Sequence, residues 1–206
     1  MFSGIVEAQG KVTGVEHTAD GAADGLLRIA VERPAEFNDL ALGDSVCNSG
    51  VCLTVERLES ALMHFALGAE TLRVVGWTAD NLLGRSMNLE RSLRFGDRIH
   101  GHLVSGHVDT TGEIIDVKDL QGSTDITVLI PQRLQPFVWK KGSWAVNGVS
   151  LTINEVEGNK IKMCLIPETL NRTNLSGLKP GERVNLEIDM FARGMIHYFQ
   201  NHGQNT

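Results

Sequence analysis

The chain states one pattern twice. Residues 45–55 read Ser-Val-Cys-Asn-Ser-Gly-Val-Cys-Leu-Thr-Val, and 98 positions later residues 143–153 read Ser-Trp-Ala-Val-Asn-Gly-Val-Ser-Leu-Thr-Ile. Ser45, Gly50, Val51, Leu53 and Thr54 recur as Ser143, Gly148, Val149, Leu151 and Thr152, while Cys52 is replaced by Ser150. Residues 2–12 lie over 104–114 and share Ser3, Gly4, Val6 and Gly10 with Ser105, Gly106, Val108 and Gly112. Glu70-Thr71-Leu72 returns as Glu168-Thr169-Leu170, and Gly84, Asn88, Leu89 and Glu90 return as Gly181, Asn185, Leu186 and Glu187. The four blocks keep their order in both halves, with 16 of 32 aligned positions identical. Such a repeat demands two similar domains, each near the size that supports a small core of its own. The expected division is 1–101, 102–188 and a tail, 189–206.

Within each half the pattern is that of short strands. Residues 27–32, 62–67, 124–130, 150–156, 160–166 and 184–188 are strand-like, with apolar and polar side chains alternating most clearly at 27–32 and 160–166. Glycines at 10, 43, 50 and 84, then 112, 142, 148, 158 and 181, punctuate them. About six strands per half predict an all-β fold of two antiparallel barrels, because closure removes the edges that short strands would expose. A helical turn is expected at 34–40 and again at 131–138, each opened by proline. After Asp189, a natural helix cap, apolar residues fall at Phe191, Met195, Tyr198 and Phe199, the spacing of an amphipathic helix. A single helix of this length is marginal in water, so its stripe is expected to cover the barrels or, preferably, another copy of the chain. The join at 92–101 is charged and lacks a Gly/Ser tract, which predicts barrels held in a fixed relation.

Net charge is −6 and the longest basic run is Lys140-Lys141, which argues against nucleic-acid binding. No apolar run reaches the length of a membrane span, and the first residues lack the basic and apolar regions of a leader. Cysteines at 47, 52 and 164 are odd in number and lack metal spacing, so a reducing cytoplasmic setting is expected.

The chain has no phosphate loop, dinucleotide fingerprint or serine elbow. It carries instead two matched sets of polar groups in apolar strands. One is Ser3, Gly4, Cys52, Thr54, Glu70 and Thr71; the other is Ser105, Gly106, His107, Ser150, Thr152, Glu168 and Thr169. Small residues let a flat ligand approach the backbone, where hydroxyl and N–H groups read its heteroatoms. Taken singly, Cys52 reads as a packed small side chain, the threonines as strand formers, the glutamates as first-turn helix residues and Lys141 as a turn lysine. The Cys52/Ser150 exchange argues for more, since both groups handle a proton and a core would take Ala or Val. His102 and His107, five apart, fall on opposite faces if they lie on one strand, and each alone reads as structural.

At these residues the chain resembles riboflavin synthase of the alpha-chain type. The resemblance rests on Met1-Phe2-Ser3-Gly4-Ile5-Val6, Ser49-Gly50-Val51-Cys52-Leu53-Thr54-Val55, Gly101-His102-Leu103-Val104-Ser105-Gly106-His107-Val108-Asp109, Lys141-Gly142-Ser143, Asn147-Gly148-Val149-Ser150-Leu151-Thr152, Ile166-Pro167-Glu168-Thr169-Leu170 and Val184-Asn185-Leu186-Glu187-Ile188-Asp189. It implies two six-stranded Greek-key barrels and a C-terminal helix that joins a homotrimer. It implies dismutation of two 6,7-dimethyl-8-ribityllumazine molecules, one giving up a four-carbon unit and the other becoming riboflavin, with 5-amino-6-ribitylamino-uracil released and no cofactor or metal needed. Carried over by motif, Gly4, Ile5, Val6, Cys52, Leu53, Thr54, Ala66, Leu67, Gly68, Ala69, Glu70 and Thr71 would line a first pocket. Gly106, His107, Val108, Lys141, Ser150, Leu151, Thr152, Leu165, Ile166, Pro167, Glu168 and Thr169 would line a second. Phe2, Ser45, Cys52, His107 and Asp189 would stand nearest the chemistry. The chain departs from the family pattern at His100, at Ser49 and over 74–81. Two competing readings share the build: a chromophore-binding protein with a degraded second site, and the flavin-binding barrel of a reductase, which would need a nicotinamide domain.

Overall fold

The computed structural model describes residues 1–17 and 26–202. The first half contains β1 (Ala8–His17), β2 (Leu27–Glu32), β3 (Ser45–Asn48), β4 (Val51–Leu58), β5 (Leu62–Leu67) and β6 (Ser86–Arg91), with α1 (Ala69–Val75) and α2 (Ala79–Leu82) between β5 and β6. The second half repeats the series as β7 (Thr110–Asp119), β8 (Thr124–Leu129), β9 (Ser143–Val146), β10 (Val149–Glu157), β11 (Lys160–Leu165) and β12 (Arg183–Ile188), with α3 (Pro167–Arg172) after β11. Each set closes on itself, in the orders β1-β2-β5-β4-β3-β6 and β7-β8-β11-β10-β9-β12, with antiparallel neighbours throughout. A third strand that lies between the fourth and the sixth, away from the second, makes each barrel a Greek key.

Alternation does what period two predicts. Leu27, Ile29 and Val31 of β2 point inward and Arg28 and Glu32 outward; Ile161, Met163 and Leu165 repeat this on β11. Bulges at matching places, after Val12 and Val55 and after Ile114 and Ile153, bend the strands into closure. Trp144, wholly buried, donates its indole N–H to the Phe137 carbonyl at 3.2 Å, tying the 3-10 helix Gln132–Phe137 to the second barrel.

The other expected helical turn, at 34–40, is only a series of turns. The Glu36 carbonyl accepts from Arg91 Nη1 at 3.1 Å, and Phe37 is wholly buried with the Arg91 guanidinium 4.7 Å from its ring centre. One helical-type bond survives, from the Phe37 N–H to the Pro34 carbonyl at 3.0 Å, while Arg91 takes the Glu36 carbonyl. The 74–81 stretch ends α1 at Gly76 in the left-handed region and starts α2 with a Thr78/Asn81 capping box.

The barrels meet across a pseudo-twofold axis. Phe2 and Val104 exchange backbone hydrogen bonds of 2.8 and 3.0 Å there. The two hairpin turns, Ser49-Gly50 and Asn147-Gly148, hold positive φ at all four residues and abut. A side chain on Gly148 would stand 2.7 Å from the Gly50 amide, so only glycine permits this approach. Reciprocal amides complete the joint: Asn88 Nδ2 donates to the Asn147 carbonyl at 2.9 Å and Asn185 Nδ2 to the Ser49 carbonyl at 2.8 Å. The 92–101 join is pinned at both ends, by Leu93 N–H to the Met1 carbonyl and His102 N–H to the Ser3 carbonyl.

Asp189 caps α4 (Met190–His202), its Oδ1 accepting from the Phe191 amide at 2.7 Å. Arg193 reaches back to Asp109 at 2.8 Å, and Ala192 is buried. The apolar stripe is left in the open, with Phe191, Met195, Tyr198 and Phe199 each exposed.

Candidate functional site

Each barrel offers the same platform, made by β4, β5 and the start of α1, or by β10, β11 and the start of α3. The leading segment of each half crosses to the other barrel. The Cys52 amide donates to the Gly106 carbonyl at 2.8 Å, and the Ser150 amide to the Gly4 carbonyl at 2.8 Å. Val6 packs in the core of the second barrel and Val108 against that of the first. The pockets expected from the repeat are therefore regrouped. Gly4, Ile5 and Val6 join Ser150, Leu151, Thr152, Leu165, Ile166, Pro167, Glu168 and Thr169. Gly106, His107 and Val108 join Cys52, Leu53, Thr54, Ala66, Leu67, Gly68, Ala69, Glu70 and Thr71. The approach is close enough to require glycine: a Cβ on Gly4 would fall 2.7 Å from Ser150 Cβ, and one on Gly106 would fall 2.5 Å from Cys52 Cβ.

Two buried carboxylates hold the crossing segments. Glu90 Oε1 accepts from the Ser3 amide at 2.7 Å and its hydroxyl at 2.8 Å, while Oε2 accepts from the Gly4 amide at 3.0 Å. Glu187 does the same for Ser105 and Gly106, at 2.7, 2.6 and 2.9 Å. Burial pushes the Glu90 carboxyl above its usual range, against the pull of the Ser3 and Gly4 donors. The recurrence of Ser-Gly and of Asn-Leu-Glu in both halves now has one cause, since each pair is a clamp. Glu90 and Glu187 were visible in the repeat but not among the predicted site residues.

The clamps are alike, but the groups they present differ. On the second platform His102 Nδ1 lies 2.7 Å from Ser150 Oγ. The histidine is largely buried, and desolvation lowers its pKa below the ordinary 6.5, opposed by the charges of Asp189 and Glu187. A neutral ring beside a hydroxyl can accept from it or donate to it, according to which ring nitrogen carries the proton. Its Nε2 is buried without a partner. On the first platform the twin of Ser150 is the half-buried Cys52; His107 follows Gly106 there, but among the described residues no histidine ring is hydrogen-bonded to the thiol. The sequence reads His102 as a hydrogen-bonded histidine, and its partner is Ser150, 48 positions away.

The remaining candidates fall in several places. Phe2 is wholly buried with Cys47, Val104 and Ala145 at the joint, so it anchors the Ser3-Gly4 segment and shows no surface to a ligand. Ser45 opens β3 opposite Thr54. His107 is exposed, and its amide donates to the Ser105 hydroxyl at 3.3 Å. The two histidines lie off any strand, contrary to the strand-based expectation. Lys141 is exposed at φ 71, where its twin Gly43 has φ 88. Glu70 and Glu168 sit in first helical turns, paired with Arg73 and Arg172. His100 lines a cleft of about 630 Å³ beside Ser3 and Ile5.

Residues 3–92 and 105–189 each match the lumazine binding domain family. The chain is 41% identical over 201 residues to a riboflavin synthase of Brucella abortus, with 94% of this chain and 95% of that protein covered. It is 36% identical over 198 residues to the riboflavin synthase of Escherichia coli, covering 95% and 90%. The chain belongs to the riboflavin synthase family. Membership accounts for the duplicated domain and for the paired platforms. The same fold occurs in LumP complexed with riboflavin, with a TM-score of 0.81 and 22% identity over 91% of this chain and 99% of that one. LumP complexed with 6,7-dimethyl-8-(1'-D-ribityl) lumazine gives 0.77 and 21%, again over 91% and 99%.

Proposed function

We propose that this chain makes riboflavin by dismutation of two 6,7-dimethyl-8-ribityllumazine molecules, one bound on each type of platform. The observation that carries the reading is the pair of equivalent platforms with unlike chemistry, Cys52 on one and Ser150 with His102 on the other. Identical reactants with opposite fates need alike binding and different proton handling. One lumazine must lose a proton from its C7 methyl; the other must take a nucleophile at C7. His102 and Ser150 supply the proton transfer on the second platform, and Cys52 supplies a thiol on the first.

The platforms are open. Ile5 and Ile166 are 44% and 57% exposed, and Thr54, Thr152 and His107 are exposed as well. Stacking two heterocycles away from water needs a second surface. The exposed face of α4 supports assembly of copies, a homotrimer in which the first platform of one copy faces the second of another. The domains would then act as 1–101 and 102–188, with 189–206 as the joining element in a cytoplasmic enzyme. Incubating the purified chain with the lumazine alone should yield riboflavin. Tight binding of the lumazine with no riboflavin formed would make the chain a chromophore-binding protein instead.

A further inference from the structure

Cys47 and Cys52 are cross-strand partners in the β3–β4 hairpin. The Ser49-Gly50 turn makes Asn48 and Val51 the first pair, and Cys47 and Cys52 the next. The Cys52 amide points away from β3, to Gly106, so this is a pair without mutual backbone hydrogen bonds. Such pairs have Cα atoms roughly 4.5 Å apart, inside the range of about 4.4–6.8 Å that a disulfide spans. As directly paired residues they present their side chains to one face of the hairpin, where Cys52 packs against the cluster that contains Cys47. In the twin hairpin these positions are Ala145 and Ser150, which cannot be linked.

We propose that Cys47 and Cys52 form an oxidation site, at which a peroxide converts the two thiols to a disulfide and takes the Cys52 thiol out of the first pocket. Cys52, half-exposed, reacts first: its thiolate attacks one peroxide oxygen, the O–O bond breaks, and a sulfenic acid and water result. Cys47 then attacks the sulfenic sulfur, loses its proton and releases a second water. Two thiols are oxidised by two electrons and one peroxide is reduced to two waters. Burial pushes the Cys47 thiol well above its usual range, so Cys47 keeps its proton while Cys52 meets the peroxide and gives it up only as the S–S bond forms. The Ser49-Gly50 turn, held against Gly148, keeps the pair in register throughout.

The test treats the full-length protein with hydrogen peroxide, alkylates the remaining thiols after denaturation and maps the peptides. The expected result is one labelled cysteine of three, Cys164, a peptide linking positions 47 and 52, and reversal by dithiothreitol. Cys47→Ala copies the twin hairpin and keeps basal turnover. In the natural chain peroxide abolishes turnover and dithiothreitol restores it; in Cys47→Ala the loss persists, because Cys52 is carried on to the sulfinic acid. Labelled Cys47 after oxidation, or equal recovery in both proteins, overturns the proposal. The turnover arm rests on the reading of the first pocket as part of the enzyme. The mapping arm does not: a 47–52 link in a chain without turnover would keep the oxidation site and overturn only that reading.

Discussion

The Ser150 amide donates to the Gly4 carbonyl at 2.8 Å, although the two residues belong to opposite halves of the repeat. Each platform is therefore composite even within one chain. Gly4 holds φ +74 and Gly106 φ +81, with no room for a side chain. Gly4→Ala and Gly106→Ala should each lower stability by about 1–3 kcal/mol, read as a shift in denaturant midpoint. The binding effects should differ. Gly4→Ala should weaken lumazine at the second platform and Gly106→Ala at the first, so each titration loses one class of site. Loss of the opposite class would refute the crossing.

His102 should govern the acid side of the rate profile. Its pKa is depressed, so the neutral ring beside Ser150 persists to below pH 6.5 and is lost as pH falls through the folded value. The stability it contributes has the same sign, present above the unfolded pKa and lost on acidification. His102→Gln should cut turnover by roughly 10²-fold or more and remove the acidic limb, while leaving lumazine affinity nearly intact. A variant with an unchanged pH profile would return His102 to a packing role.

The barrels were legible because their signals are local and repeated. Alternation at 27–32 and 160–166 and the Asn147-Gly148 turn need only neighbouring residues to be read. The exchange of leading segments was not legible. Residues 1–7 and 101–109 carry no period, and aligning the halves naturally pairs Gly4 with Cys52. What sends Gly4 to Ser150 instead is the antiparallel bridge of Phe2 with Val104, a contact between irregular segments more than 100 positions apart. The 34–40 segment turns as expected but does not go on into a helix, and Arg91, far along the chain, takes the Glu36 carbonyl. The Asn-Leu-Glu repeats were seen, but nothing local says that Glu90 and Glu187 grip backbone amides.

Asn174 should matter more than its place after α3 indicates. Its amide N–H donates to Asn88 Oδ1 at 2.7 Å, and its Nδ2 donates to Ser49 Oγ and to the Ser86 carbonyl. It ties the second barrel to the first at the edge of the joint. Asn174→Ala keeps the backbone bond to Asn88 but removes those to Ser49 and Ser86 in a part-buried setting, at a cost of about 1–3 kcal/mol. Differential scanning calorimetry should show the transition lowered and, with the joint weakened, broadened. Asn171→Ala, one turn earlier and exposed, should do neither.

Assembly can be tested without cutting the chain. Met195 and Phe199 stand on the exposed face of α4, while Arg193 to Asp109 and the buried Ala192 fix its inner side. Met195→Asp with Phe199→Asp should leave these inner contacts and both barrels in place, since exposed substitutions usually change stability by less than about 0.5 kcal/mol. Two carboxylates on the apolar face should oppose its burial against another copy. Sedimentation should then report monomers, and turnover should fall by more than about tenfold, because each open platform loses the surface that excludes water from its ligand. Lumazine binding to the isolated monomer should persist more weakly. A monomer that still makes riboflavin at the full rate would place both reactants on one chain and overturn the shared site.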